Sequence, residues 1–193
     1  MTPALDTRSA PGHHEYDKRR ASVASPRTNI VLIGMPGSGK STVGVILAKR
    51  TSRDFVDTDV LIQTTERRSL QTILDAEGHM RLRAIEERVL LGLDLANHVI
   101  ATGGSAAYSA AAMAHLKTSG VIVFLDVDIE TLLRRVDDFD TRGIAKAPGQ
   151  TFAELFEERG RLYREHAEIT VPCSRMTQEE VCAAIVDAMV ERS

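Results

Sequence analysis

The chain has 193 residues, 43% of them hydrophobic, and a net charge of −3 from 24 basic and 27 acidic side chains. That size and composition suit one compact α/β domain, and the charge balance gives no basis for bulk binding of nucleic acid or an anionic membrane. No apolar run approaches the ~20 residues of a membrane span, the N-terminus lacks an apolar signal core, and Cys173 and Cys182 fit neither a CxxC pair nor a zinc pattern, so a cytoplasmic protein with reduced thiols is expected.

Residues 1–28 are polar and aperiodic, with Pro3, Pro11, Pro26 and the basic cluster Lys18-Arg19-Arg20. They read as a disordered arm, and 29–193 as the folded domain. From there short apolar runs alternate with helical patterns. Strands are expected at Asn29–Ile33, Asp54–Val56, His98–Thr102, Val121–Val127 and Glu168–Val171. Helices are expected at Lys40–Thr51, Asp59–Thr64, Leu70–Asp75, His79–Leu95, Ser109–Lys117, Ile129–Val136, Phe152–His166 and Gln178–Glu191. Thr151-x-x-Glu154 and Thr177-x-x-Glu180 have the form of capping boxes. The alternation predicts a parallel sheet covered by helices on both faces, with ligands beyond the carboxyl ends of the strands.

The first strand runs directly into Gly34-Met35-Pro36-Gly37-Ser38-Gly39-Lys40-Ser41-Thr42. This is G-x-x-x-x-G-K-S between a strand and a helix, the setting a phosphate-binding P-loop requires. Glycine backbone N–H groups cradle an anion there, and the helix start adds its dipole. Lys40 would reach the β- and γ-phosphates, and the Ser41 hydroxyl would bind Mg²⁺. ATP with Mg²⁺ is the expected nucleotide.

After the second strand comes Asp57-Thr58-Asp59. One carboxylate can support Mg²⁺ beside Ser41 and the other can accept a hydrogen bond from an attacking hydroxyl. The same pair also reads as an acidic helix cap. After the third strand comes Gly103-Gly104-Ser105, either a tight turn or a place where a substrate meets bare backbone. On the helical stretch before the third strand Arg83 and Glu86 are three apart, so Glu86 could orient the guanidinium. Thr141-Arg142-Gly143, with the residues to Gln150, reads either as a solvated loop or as a lid carrying a cation to the transferred phosphoryl group. Asp126, ending the fourth strand, ranks below Asp57 as a metal carboxylate.

Together these segments resemble the shikimate kinase family over nearly all of Asn29 to Val190. The resemblance implies a three-layer P-loop kinase fold with a central parallel five-stranded sheet and a mobile lid at about 138–151. It implies ATP bound by Gly34, Gly37, Ser38, Gly39, Lys40, Ser41 and Thr42, with Arg142 on the lid and Arg175 near adenine. Ser41 and Asp57 would support Mg²⁺. Asp59, Arg83, Gly103, Gly104, Ser105 and Arg159 would bind the acceptor, with Lys40, Asp59 and Arg142 as catalytic groups. The implied reaction is phosphorylation of shikimate by a monomer, with no nucleic-acid or membrane partner. Four positions depart from the family pattern: Ser105 for a third glycine, Leu82 for an aromatic, Arg161 for a proline, and Arg142-Gly143-Ile144-Ala145 for R-P-L-L. A kinase of the same fold acting on another small hydroxy acid, such as homoserine or gluconate, is the alternative, and a non-catalytic ATP-binding module a weaker one.

Overall fold

The computed structural model describes residues 27–135 and 143–192. Most of the expected arm, Arg142 and the first part of the expected lid lie outside the described residues. The strands are β1 (Asn29–Ile33), β2 (Asp54–Asp57), β3 (His98–Ala101), β4 (Gly120–Asp126) and β5 (Ile169–Pro172). They form one parallel sheet in the order β2-β3-β1-β4-β5. Every residue of β1 is buried. Successive strand side chains point to opposite faces, so a fully buried strand must be covered on both sides. The edge strand β5 instead alternates buried and exposed residues.

The helices among the described residues are α1 (Lys40–Thr51), α2 (Thr58–Glu66), α3 (Leu70–Leu91), α4 (Ala110–Ser119), α5 (Ile129–Arg135), α6 (Phe152–His166) and α7 (Gln178–Val190). Both expected capping boxes are formed, at Thr151 with Glu154 and at Thr177 with Glu180. The two helices expected between Leu70 and Leu95 are a single run, α3, broken in direction at Gly78, whose φ of 79° and ψ of 171° are non-helical. The run also stops earlier than expected, at Leu91. Gly92 caps it there by donating its N–H to the Arg88 carbonyl. A short 3₁₀ turn at Ala106–Tyr108 was not anticipated; it is closed by Tyr108 N–H to the Ser105 carbonyl at 3.1 Å.

Arg27 and Thr28, which precede β1, are already tied to the domain. Arg27 Nε donates to the Gly120 carbonyl at 3.0 Å, and the Thr28 hydroxyl accepts from Asn97 N–H at 2.8 Å. Asn29 itself is fully buried and ties three segments together. Its side-chain amide donates to the Leu95 carbonyl at 2.6 Å and the Ser119 hydroxyl at 3.2 Å, while its oxygen accepts from His98 N–H at 2.8 Å. An apolar replacement would strand these buried partners without hydrogen bonds. Asn29→Ala is expected to lower the unfolding free energy by about 1–3 kcal/mol, read by urea denaturation.

Candidate active site

The carboxyl ends of β1, β2 and β3 open into a cavity of about 420 Å³. Its walls include Lys40, Ser41 and Thr42 from the P-loop, Asp59 from α2, Gly104 and Ser105 after β3, and Arg159 from α6. Five of the six expected acceptor-binding residues thus lie on this wall or just behind it, and Gly103 is the one behind it. Arg83 lines a neighbouring cavity of about 310 Å³ instead, and Ser105 lines both.

The turn from β1 to α1 is held by its lysine. Lys40 Nζ donates to the carbonyls of Gly34 at 2.8 Å and Met35 at 3.0 Å. Gly39 adopts φ 94°, a left-handed conformation that residues with a Cβ resist, and caps α1. Burial pushes the Lys40 ammonium down to about 8, opposed by the charge of Asp59. The Ser38 hydroxyl is buried here and has no partner. A loop that folds around bare backbone and leaves a buried hydroxyl unsatisfied fits an anion with many oxygens.

Asp57 uses its two carboxylate oxygens separately. One carboxylate oxygen caps α2 by accepting from Asp59 N–H at 3.0 Å and Val60 N–H at 3.4 Å. The other accepts from the Ser41 hydroxyl at 2.6 Å. The pair fits Mg²⁺, which takes few protein oxygens beside phosphate and water. Among the described residues no cluster of three or more His, Cys, Asp or Glu competes as a metal site. Asp126 is turned away, its Oδ2 4.0 Å from Arg164 Nη2.

Asp59 is half-buried, and desolvation lifts its carboxyl above the usual range against the pull of Lys40. Gly103 explains how a second carboxylate lies so near. A Cβ on Gly103 would fall 2.5 Å from Asp59 Oδ1 and 2.4 Å from Glu86 Oε1. Gly104 allows a similar approach, since a Cβ there would fall 2.7 Å from Arg159 Nη1. The paired glycines are therefore a close-approach site and not merely a turn.

Glu86 does not orient Arg83 as its spacing suggested. It accepts a hydrogen bond from the Ser105 hydroxyl, and its other oxygen has no partner. The spacing was right for a helix face, but both elements pack so that the carboxylate turns inward to the β3 turn. Burial and the charge of Asp59 push Glu86 up to about 7.

Arg83 and Arg159, from α3 and α6, meet at one carbonyl. Ala145 O accepts from Arg159 Nη2 at 2.7 Å and from Arg83 Nη2 at 3.3 Å. Both guanidiniums lie over Tyr108, their central carbons 3.5 Å (Arg83) and 5.5 Å (Arg159) from its ring centroid. Arg159 is only 1% exposed, and the Nε of each arginine is buried without a partner. Two of the departures from the family pattern are harmless by position or size. Arg161 is exposed and outside the cavity, and Leu82 is a buried wall residue.

Arg175 is exposed, in the turn between β5 and α7, away from the cavity wall. Two site residues escaped the sequence reading. Arg135, the last residue of α5, lines the cavity. Tyr108 supports both arginines, and its only sequence signal was an aromatic in a loop directly after a strand.

The chain matches the family model described as shikimate kinase over residues 36–190. The shikimate kinase of Sulfurihydrogenibium sp. is 33% identical over 165 residues, covering 85% of this chain and 99% of that protein. That of Paracidovorax citrulli is 37% identical over 155 residues, covering 78% and 85%. Among solved structures, the shikimate kinase from Acinetobacter baumannii in complex with shikimate is similar at a TM-score of 0.79 and 31% identity, covering 86% of this chain and 94% of that one.

Glu86 gives the site a pH signature. Burial raises its carboxyl from the ordinary 4.5 to about 7 in the fold. The folded state therefore binds more protons between those values, and the slope of stability with pH is negative there. The contribution of Glu86 is full below pH 4.5 and is lost as pH rises through 7. Asp59, also raised, acts in the same direction. Urea unfolding from pH 4 to 8 should show stability declining across this window, and Glu86→Gln should flatten the upper part of the decline.

Proposed function

The chain belongs to the shikimate kinase family, and from that premise we propose that it transfers the γ-phosphoryl group of ATP to the 3-hydroxyl of shikimate, giving shikimate 3-phosphate and ADP. One observation carries the reading. A single cavity is walled by a P-loop lysine, a half-buried aspartate and a buried arginine, and so offers partners for a phosphate, a hydroxyl and a carboxylate.

The residues divide the work by chemistry. Gly34, Gly37, Ser38, Gly39 and Thr42 supply the phosphate cradle. Lys40 exchanges its two carbonyl partners for phosphate oxygens and stabilises the charge that develops during transfer. Ser41 and Asp57 would hold Mg²⁺, which supplies charge neutralisation between the phosphates. Asp59 orients the acceptor hydroxyl and takes its proton on a carboxylate oxygen. Its raised affinity for protons suits that task at neutral pH. Arg83 and Arg159 fork onto the acceptor carboxylate, and the Nε of each has no other partner. Gly103, Gly104 and Ser105 form the floor beneath it. Arg142 closes over the transferred group with the lid, and Arg175 packs against adenine.

Kinship of this kind does not favour homoserine or gluconate as acceptor. A non-catalytic ATP-binding role is not favoured either, since Lys40 and Asp59 are both placed in the cavity. The buried free thiols Cys173 and Cys182 support a reducing compartment, and we assign the enzyme to the cytoplasm as a monomer. No helix among the described residues is long and apolar enough to cross a membrane.

The test is ADP release with Mg-ATP and shikimate, run beside homoserine, gluconate and a nucleoside monophosphate, with Lys40→Ala as blank. Shikimate should be the preferred acceptor, with kcat/KM of about 10⁴ M⁻¹s⁻¹ or more. Preference for another acceptor would overturn the reading. In the same assay Asp59→Asn is expected to lower kcat by about 10²–10⁴-fold while ATP affinity holds. Arg159→Ala is expected to raise the shikimate KM by about 10–100-fold through the loss of charged hydrogen bonds.

A further inference from the structure

Tyr108 is the residue that neither the motifs nor the reaction accounts for. It closes the 3₁₀ turn after β3, and two guanidiniums from two different helices rest on its ring, Arg83 at 3.5 Å and Arg159 at 5.5 Å. The only other group bonded to both is the Ala145 carbonyl. The nearest helix-face carboxylate, Glu86, is taken by Ser105.

Two like charges brought to one place repel each other. Something must hold them, and the choice of holder decides what they can still do. A carboxylate would hold them best and would also occupy the donors that an anionic substrate needs. One carbonyl uses a single N–H of each. A ring face attracts the guanidinium through its quadrupole and consumes no donor at all. Stacking also fixes the plane of each guanidinium, and with it the direction of the remaining N–H groups. The result on the page is two ordered arginines whose Nε donors are buried and unpartnered. The Tyr108 hydroxyl is likewise buried without a partner, so no hydrogen bond of its own anchors the ring.

We propose that Tyr108 is a positioning residue for the acceptor's carboxylate: its ring holds Arg83 and Arg159 in register while leaving their donor edges free. It acts through the arginines and not on the reacting atoms. The inference rests on the reading of the acceptor as a hydroxy acid. Tyr108 also supplies, from a neighbouring element, an aromatic surface that Leu82 does not provide beside Arg83.

Steady-state kinetics with shikimate and Mg-ATP, together with calorimetric binding of shikimate, test this on three full-length proteins: the parent, Tyr108→Leu and Tyr108→Phe. Tyr108→Leu removes the ring and should raise the shikimate KM and weaken shikimate binding by about tenfold, with kcat and the ATP KM within about twofold of the parent. Tyr108→Phe keeps the ring and should stay within about twofold in every parameter. A merely structural role would lower the active fraction, and so kcat, without a selective change in the shikimate KM. Thermal unfolding of each variant separates that case. A Tyr108→Leu variant with parental shikimate KM, or a Tyr108→Phe variant as impaired as Tyr108→Leu, would overturn the positioning role alone. A parent protein that neither binds nor phosphorylates shikimate would overturn the functional reading, and this inference with it.

Discussion

The site depends on burying charge without neutralising it. Lys40 and Glu86 are buried, Arg159 is nearly inaccessible, and Asp59 is half-covered beside them. In an apolar interior an isolated charge is costly, and the usual remedy is a direct ion pair. Here the charges are mostly held by other means. Lys40 bonds to two carbonyls, Glu86 to a hydroxyl, Arg159 to a carbonyl and the face of a ring. Burial pushes Lys40 down and Asp59 up, and the opposite charge of each neighbour works against the other's shift. None of them is locked in a pair that substrate binding must first break. An active site that must receive a triphosphate and a carboxylate is served by such an arrangement, because its donors are oriented before the ligands arrive.

The scaffold was largely legible in the sequence, and the reason is that its signals are local. A strand with four successive apolar residues, followed by glycines, lysine and serine, can hardly be anything but β1 and the P-loop. Thr151 and Thr177 each sit three residues before a glutamate, and each box formed. Strand ends moved by a residue, within the ordinary ambiguity of element boundaries. The break at Gly78 was also local. It was read as a gap between two helices, and the non-helical backbone of Gly78 does separate two helical segments there.

The fine structure of the site was less legible, because it is set by contacts between elements far apart in the chain. Glu86 stands three residues from Arg83, and helix spacing alone favours that pair. The partner it finds is Ser105, 19 positions away, brought near by the packing of α3 against the turn after β3. Tyr108 meets Arg83 and Arg159 across comparable separations. Nothing in a linear reading distinguishes it from an aromatic that fills a core. Asp57 is the instructive intermediate. Its sequence supported both a helix cap and a metal carboxylate, with the P-loop nearby favouring the second; in the fold one oxygen caps α2 and the other meets the Ser41 hydroxyl.

Much of what the long-range contacts decide passes through the six residues Gly103 to Tyr108. Gly103 lets the carboxylates of Asp59 and Glu86 close in, and Gly104 lets Arg159 and Pro36 do the same. Ser105 occupies Glu86, and its place between the two cavities joins the wall that meets Asp59 to the wall that meets Arg83. The carbonyl of Gly104 accepts from the Tyr163 hydroxyl at 2.5 Å, which anchors the segment to α6 beside Arg159. Tyr108 then carries the guanidiniums. A side chain at position 105 is therefore not simply an obstruction where bare backbone would serve. Its hydroxyl gives the buried Glu86 a partner, and without one that carboxylate would be free to turn toward the arginines. Within this one segment Ser105 thus donates to Glu86 while Tyr108 faces both guanidiniums, so the acid and the arginines take separate partners.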